Sequence, residues 1–185
     1  MVGISVKVDT RDLDKVARAL EEVGREVRDK IIARALNRAG DMAATQIKRV
    51  LVKETGLRAG RVAAVMKKIR AGGSRIKFEI VVRDGWSTIT AGNFGARETG
   101  VGVTHRAWGR SQTARGAFMA GGVAYTRQGP QRLPIKALYG PNIAREMERG
   151  QSLTVATATV GRVFIPRVLH EIDRDLQRVK GKYGL

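Results

Sequence analysis

Across residues 25–53, small and apolar side chains return on one helical stripe: Val27, Ile31, Ala35, Ala39, Ala43 (with Met42 beside it) and Ile47. A period near 3.6 residues gathers them on one face and sends Arg34, Arg38, Lys48 and Arg49 to the opposite one. A helix of this length holds together mainly by covering such a stripe with other elements. Thr55-Gly56 ends it, because glycine readily takes the left-handed conformation beyond a helix terminus. Whatever this chain folds into must be built around that helix.

The flanking patterns supply the other elements. ISVKV at 4–8 alternates like a half-buried strand. Asp9 and Thr10 then suit the cap of a helix carrying Asp12 and Asp14 in its first turn, with Leu13, Val16, Ala17, Leu20 and Val23 on one side. A further helix is expected over 58–69, with Val62, Val65, Met66 and Ile69 inward. AGGS at 71–74 breaks it, and RIKFEIVVR at 75–83 reads as a strand with Ile76, Phe78, Ile80 and Val82 on one face. Twelve of the 22 glycines then fall within 84–150. That region predicts strands at 87–91, 101–105, 116–120 and 123–127, and a long loop at 92–116, a mobile arm that orders against a partner. Pro141 suits the first position of a short helix over 142–149. A longer helix over 152–180 is expected to bury Val163, Leu169, Ile172, Leu176 and Val179 and to kink at Pro166. The reading is α+β, one domain over 1–185: mainly helical over 1–70, mainly β over 75–140, helical over 141–182.

Charge bounds the partners. There are 35 Lys+Arg against 17 Asp+Glu, a net charge of +18. Residues 1–30 are neutral, 31–83 carry +10, 84–150 carry +5 and 151–185 carry +3. Arginine supplies 24 of the 35 cations, and its planar fork pairs with phosphate or carboxylate. This excess predicts a polyanion or acidic protein surfaces as partners. Zero cysteines rule out a disulfide framework and fit a reducing compartment. The start lacks the apolar core of a signal peptide, and no apolar run suggests a membrane span.

A search for chemistry finds little. His105 has no acid within four residues of it, and His170 shares no helical face with Glu171. Metal sites need several converging ligands, and two-metal nucleases need clustered carboxylates. Residues 31–83 offer only Asp41, Glu54 and Glu79, on three different predicted elements. Gly100-Val-Gly102 is only a fragment of a dinucleotide-binding motif. The chain is expected not to be an enzyme and to need no cofactor or metal.

Two other stretches carry the functional reading. Arg58, Arg61, Lys67, Lys68 and Arg70 form a candidate face for DNA or an acidic partner, to be weighed against an ordinary solvated helix face. No aromatic precedes Phe78, so base stacking on that face is not expected. RLPIKALYGPNI at 132–143 is a stiff apolar connector in which Leu133, Pro134, Ile135, Leu138, Tyr139 and Pro141 take fixed positions. It either plugs the protein's own core, the reading that weighs more, or anchors a neighbouring subunit.

ARALNRAGDMAATQIKRVLVKETGLRAGRV at 33–62, AFMA at 117–120, RLPIKALYGPNI at 132–143 and FIPRVLHEIDRDLQRV at 164–179, in that order, resemble the prophage minor tail protein Z family, the tail-completion proteins of lambda-like phages. The resemblance implies a structural virion protein at the head-proximal end of the tail, made in the host cytoplasm and supporting head–tail joining. It implies other tail and neck proteins as partners, no membrane, a homo-oligomeric ring, and non-specific contact with the genomic DNA inside it. The alternative is a free basic nucleic-acid-binding module without a fixed oligomer.

Overall fold

The computed structural model describes residues 2–5, 25–72 and 75–183. The helix expected from Asp9 onward and the last three residues of the first expected strand lie outside them. The elements, in chain order, are β1 (Val2–Ser5), α1 (Arg25–Thr55), α2 (Ala59–Val65), β2 (Met66–Ile69), β3 (Glu79–Val82), β4 (Trp86–Thr88) and the single turn α3 (Ala91–Phe94). There follow β5 (Arg97–Thr99), β6 (Gly102–His105), a 3-10 turn (Ala107–Gly109), β7 (Gln112–Arg115), β8 (Phe118–Ala120), β9 (Val123–Arg127), β10 (Ile135–Ala137), β11 (Tyr139–Asn142), α4 (Ile143–Arg149) and α5 (Ser152–Tyr183). Helices with antiparallel sheets make the fold α+β.

The strands group as β1-β3-β2, β10-β9-β8, β11-β4 and β5-β6-β7. By internal contacts the chain makes two compact units, each assembled from separate segments. One takes Val2, Ile47–Lys67 and Val82–Ser152; the other takes the described residues of Gly3–Gln46, Lys68–Val81 and Leu153–Leu185.

In the unit containing the first part of α1, Ile31, Ala35, Ala39 and Ala43 bury against Val160, Phe164 and Val168 of α5. Small alanines on one helix face leave room for large side chains such as Phe164 in the same cluster. Gly40 extends this logic: a Cβ there would stand 2.4 Å from the Phe78 ring, so the glycine lets that ring lie on the helix. The stripe predicted for α1 is therefore the one buried, except that Val27 and Met42 at its margin are exposed.

The prediction for α5 holds for Val163 and Ile172, which pack half-buried against that core, and needs correction for Leu169. The buried face of α5 is Ala156, Thr159, Val160, Phe164, Val168 and Glu171, whereas Leu169 is 51% exposed. The face runs through a carboxylate that hydropathy spacing rejects. Glu171 is only 2% exposed; it accepts from Arg34 Nε (2.9 Å) and is ion-paired with Arg167 (2.8 Å) and Arg174 (2.6 Å). Arg34 also pairs with Asp175, so the residue assigned to the solvated face of α1 is a clamp. α5 runs on through Pro166. Leu176 and Val179 fall outside the described side chains.

The other unit holds the β-rich half. α1 ends at Thr55 as expected, and Gly56 takes φ +73° with its N–H donating to the Val52 carbonyl at 3.0 Å. Residues 92–116, expected as a long loop, instead form the meander β5-β6-β7, with Val103, His105 and Ala107 buried. β6 matches the strand predicted over 101–105, whereas β5 and β7 alternate too weakly to be read as strands, and pairing supplies the rest. Residues 123–127 are a strand as predicted. Pro141 is not the first residue of α4. It lies in β11, and Asn142 is the cap, its side-chain oxygen accepting from the Arg145 N–H at 3.1 Å.

Candidate functional site

Among the described residues no group of three or more His, Cys, Asp or Glu could hold a metal ion. His105 is buried on β6, and its Nδ1 accepts from the Ala107 N–H at 3.3 Å. Burial holds this imidazole below its ordinary value of 6.5, because the low-dielectric surroundings penalise the cation. An imidazole harder to protonate when folded makes the unfolded state the better proton binder as pH falls below that value. We expect stability to be intact above pH 6.5, to fall as pH drops below it, and to fall less in His105→Gln, as measured by urea denaturation across that range.

The basic stretch is not one helical face. The helix expected over 58–69 stops at Val65, and Met66 turns extended (φ −90°, ψ 108°) into β2. Met and Lys favour helix locally, but the place beside β3 in the sheet decides. Arg58 sits at the start of α2 and Arg61 within it, donating to Asp84 at 2.7 Å. Lys67 and Lys68 are successive residues of β2, so they point to opposite sides. Lys68 and Arg70 both hold Asp41, each at 2.8 Å. Three of the five cations thus already have a carboxylate, and the strand alternation separates Lys67 from Lys68.

Arg58, Lys67, Lys68 and Arg70 are exposed, but a longer run of exposed charge without carboxylate partners lies elsewhere. Between Glu98 and Glu146 there is no Asp or Glu, while Arg106, Arg110, Arg115, Arg127, Arg132, Lys136 and Arg145 all fall there. All seven are exposed and none has a carboxylate within salt-bridge distance among the described residues. Arg127 lies over the Phe118 ring at 4.9 Å and Arg145 over Trp86 at 5.5 Å, contacts that leave the charge free for an anion. Net charge by segment hides this stretch, because the acids of 84–150 sit towards its ends. Counting acid-free intervals finds it.

The connector is displayed rather than buried. Leu133 is 65% exposed, Tyr139 51% and Ile135 38%; Pro134 is exposed and Leu138 half-buried. Only Gly140 and Pro141 of the stretch before α4 are buried. The expectation that these side chains plug the core holds for Pro141 and is corrected for Leu133, Pro134, Ile135 and Tyr139: β10 and β11 lie at sheet margins, and β11 turns inward only where it meets α4.

Set against known protein families, curated proteins and solved structures, the chain finds no match in any of the three. No helix among the described residues is long and apolar enough to cross a membrane.

Proposed function

We propose that this chain is a structural virion protein of a phage or prophage tail, completing the head-proximal end and supporting head–tail joining as a ring around DNA. The observation that carries the reading is the exposed connector. An isolated protein gains nothing from holding Leu133, Ile135 and Tyr139 in water, whereas an assembling one buries them against a different protein of the assembly. The exposed, unpaired cations are consistent with a phosphate-lined or acidic surrounding, with no feature devoted to reading bases. Those same cations favour the second reading, a free nucleic-acid-binding module.

Light scattering at moderate salt, on the protein alone and with tail tubes, separates the two. A defined ring, in solution or only on tubes, supports the assembly reading. A monomer that ignores tubes and binds DNA replaces it with the nucleic-acid module. Tyr139→Asp is the sharper variant, since an exposed side chain can change without disturbing the core, whereas half-buried Leu138 cannot. We expect Tyr139→Asp to keep its melting temperature within about 2 °C and to lose assembly at least tenfold. Wild-type assembly by this variant would remove the connector from the interface.

A further inference from the structure

We infer that the outer edge of β10 takes up an extended segment of a partner protein, one alternating aliphatic and acidic residues, as an added strand of the β10-β9-β8 sheet. The order leaves β10 at the edge. Its register fixes which main-chain groups face outward. The Pro134 carbonyl accepts from the Gln128 N–H at 3.1 Å, and the Leu138 N–H donates to the Ala124 carbonyl at 2.8 Å. Ile135 stands opposite Arg127 and Ala137 opposite Tyr125. Bonded and non-bonded pairs alternate in an antiparallel ladder, so 134, 136 and 138 face β9 and the N–H and C=O of Ile135 and Ala137 face away. Among the described residues those outward groups meet no hydrogen-bond partner. A row of free donors and acceptors is a template for one more strand.

The flanks select what that strand carries. Leu133 and Ile135 offer exposed aliphatic surface beside the edge. Arg132 and Lys136 are exposed, lack carboxylate partners among the described residues and lie in the acid-free interval. A lysine on an edge strand commonly keeps like chains apart. Here Lys136 repels a second copy of a chain carrying +18 and welcomes an acidic segment. A nucleic acid would satisfy the cations but has no peptide ladder to offer Ile135 and Ala137. The free ladder is what points to a polypeptide. This inference does not depend on the tail reading, since it concerns the chemistry of the occupant, whatever assembly the occupant belongs to.

The test is amide hydrogen exchange by NMR on the full chain, with an acetylated and amidated peptide of alternating valine and glutamate as probe. At saturation the Ile135 and Ala137 amides should slow at least about tenfold, while the Lys136 amide, already turned to β9, changes little. Ala137→Pro deletes one outward donor and leaves the bonds to β9 in place; it should weaken peptide binding about tenfold. Lys136→Glu should weaken it too and should favour a valine–lysine peptide instead. Should Ala137→Pro fail to fold, the wild-type exchange pattern decides alone. No slowing at saturating peptide overturns the inference, as does equal affinity of the wild type for the valine–lysine peptide. Slowing that grows with protein concentration in the absence of peptide would assign the edge to a second copy. Protection by duplex DNA with none from the peptide would assign it to nucleic acid.

Discussion

Replacing Glu171 with alanine should cost about 3 kcal/mol, lowering the melting temperature by roughly 9 °C. The carboxylate is 2% exposed and is held by Arg34, Arg167 and Arg174. Removing it leaves Arg167 and Arg174 without the carboxylate they hold, and leaves Arg34 with Asp175 alone. The guanidinium groups reach solvent, which keeps the loss below that of a fully buried triad. Their mutual repulsion is screened by salt, so the variant should recover stability with added salt more than the wild type does. Thermal denaturation at low and high salt measures both effects. A loss under about 1 kcal/mol would make the cluster an ordinary surface network.

Gly56→Ala should be comparably damaging, at about 3 kcal/mol. The backbone there is left-handed, φ +73°, which costs an alanine about 1 kcal/mol. The new Cβ would also stand 2.3 Å from the Arg106 carbonyl oxygen and 2.8 Å from the Gly109 nitrogen. Both are main-chain atoms, so no side-chain rotation relieves the clash and backbone must shift, at about 1–3 kcal/mol more. Gly60→Ala is the control, since its Cβ would meet nothing within 4 Å; it should be neutral or mildly stabilising. Equal melting temperatures for the two variants would mean that the approach of Arg106 to the end of α1 is not a packing constraint.

The sequence made α1 legible because its buried face is apolar at every turn, from Ile31 to Ile47. α5 was legible as a helix, with Val163 and Ile172 rightly placed on the core, but its fully buried positions were not. Its buried face includes Thr159 and Glu171, and only the arginine from α1 explains why a carboxylate belongs there. β2 was hidden for a different reason: Met-Lys-Lys-Ile is a local helix former, and its strand conformation depends on pairing that no local window contains. The candidate cations were visible, yet their partners were not. Asp41 meets Lys68 and Arg70 from 27 and 29 residues away. The connector was found by its prolines and apolar residues, while its exposure follows from its place in the sheets.

Lys68, Arg70 and Asp41 together sum to a single positive charge, so as a pair those two cations can neutralise only about one phosphate. Each unpaired side chain between Glu98 and Glu146 can neutralise one of its own. Every phosphate neutralised sheds condensed salt ions from a nucleic acid. For the proposed contact with DNA, how steeply binding falls with added salt would therefore report which face the DNA lies on, before any complex is visualised.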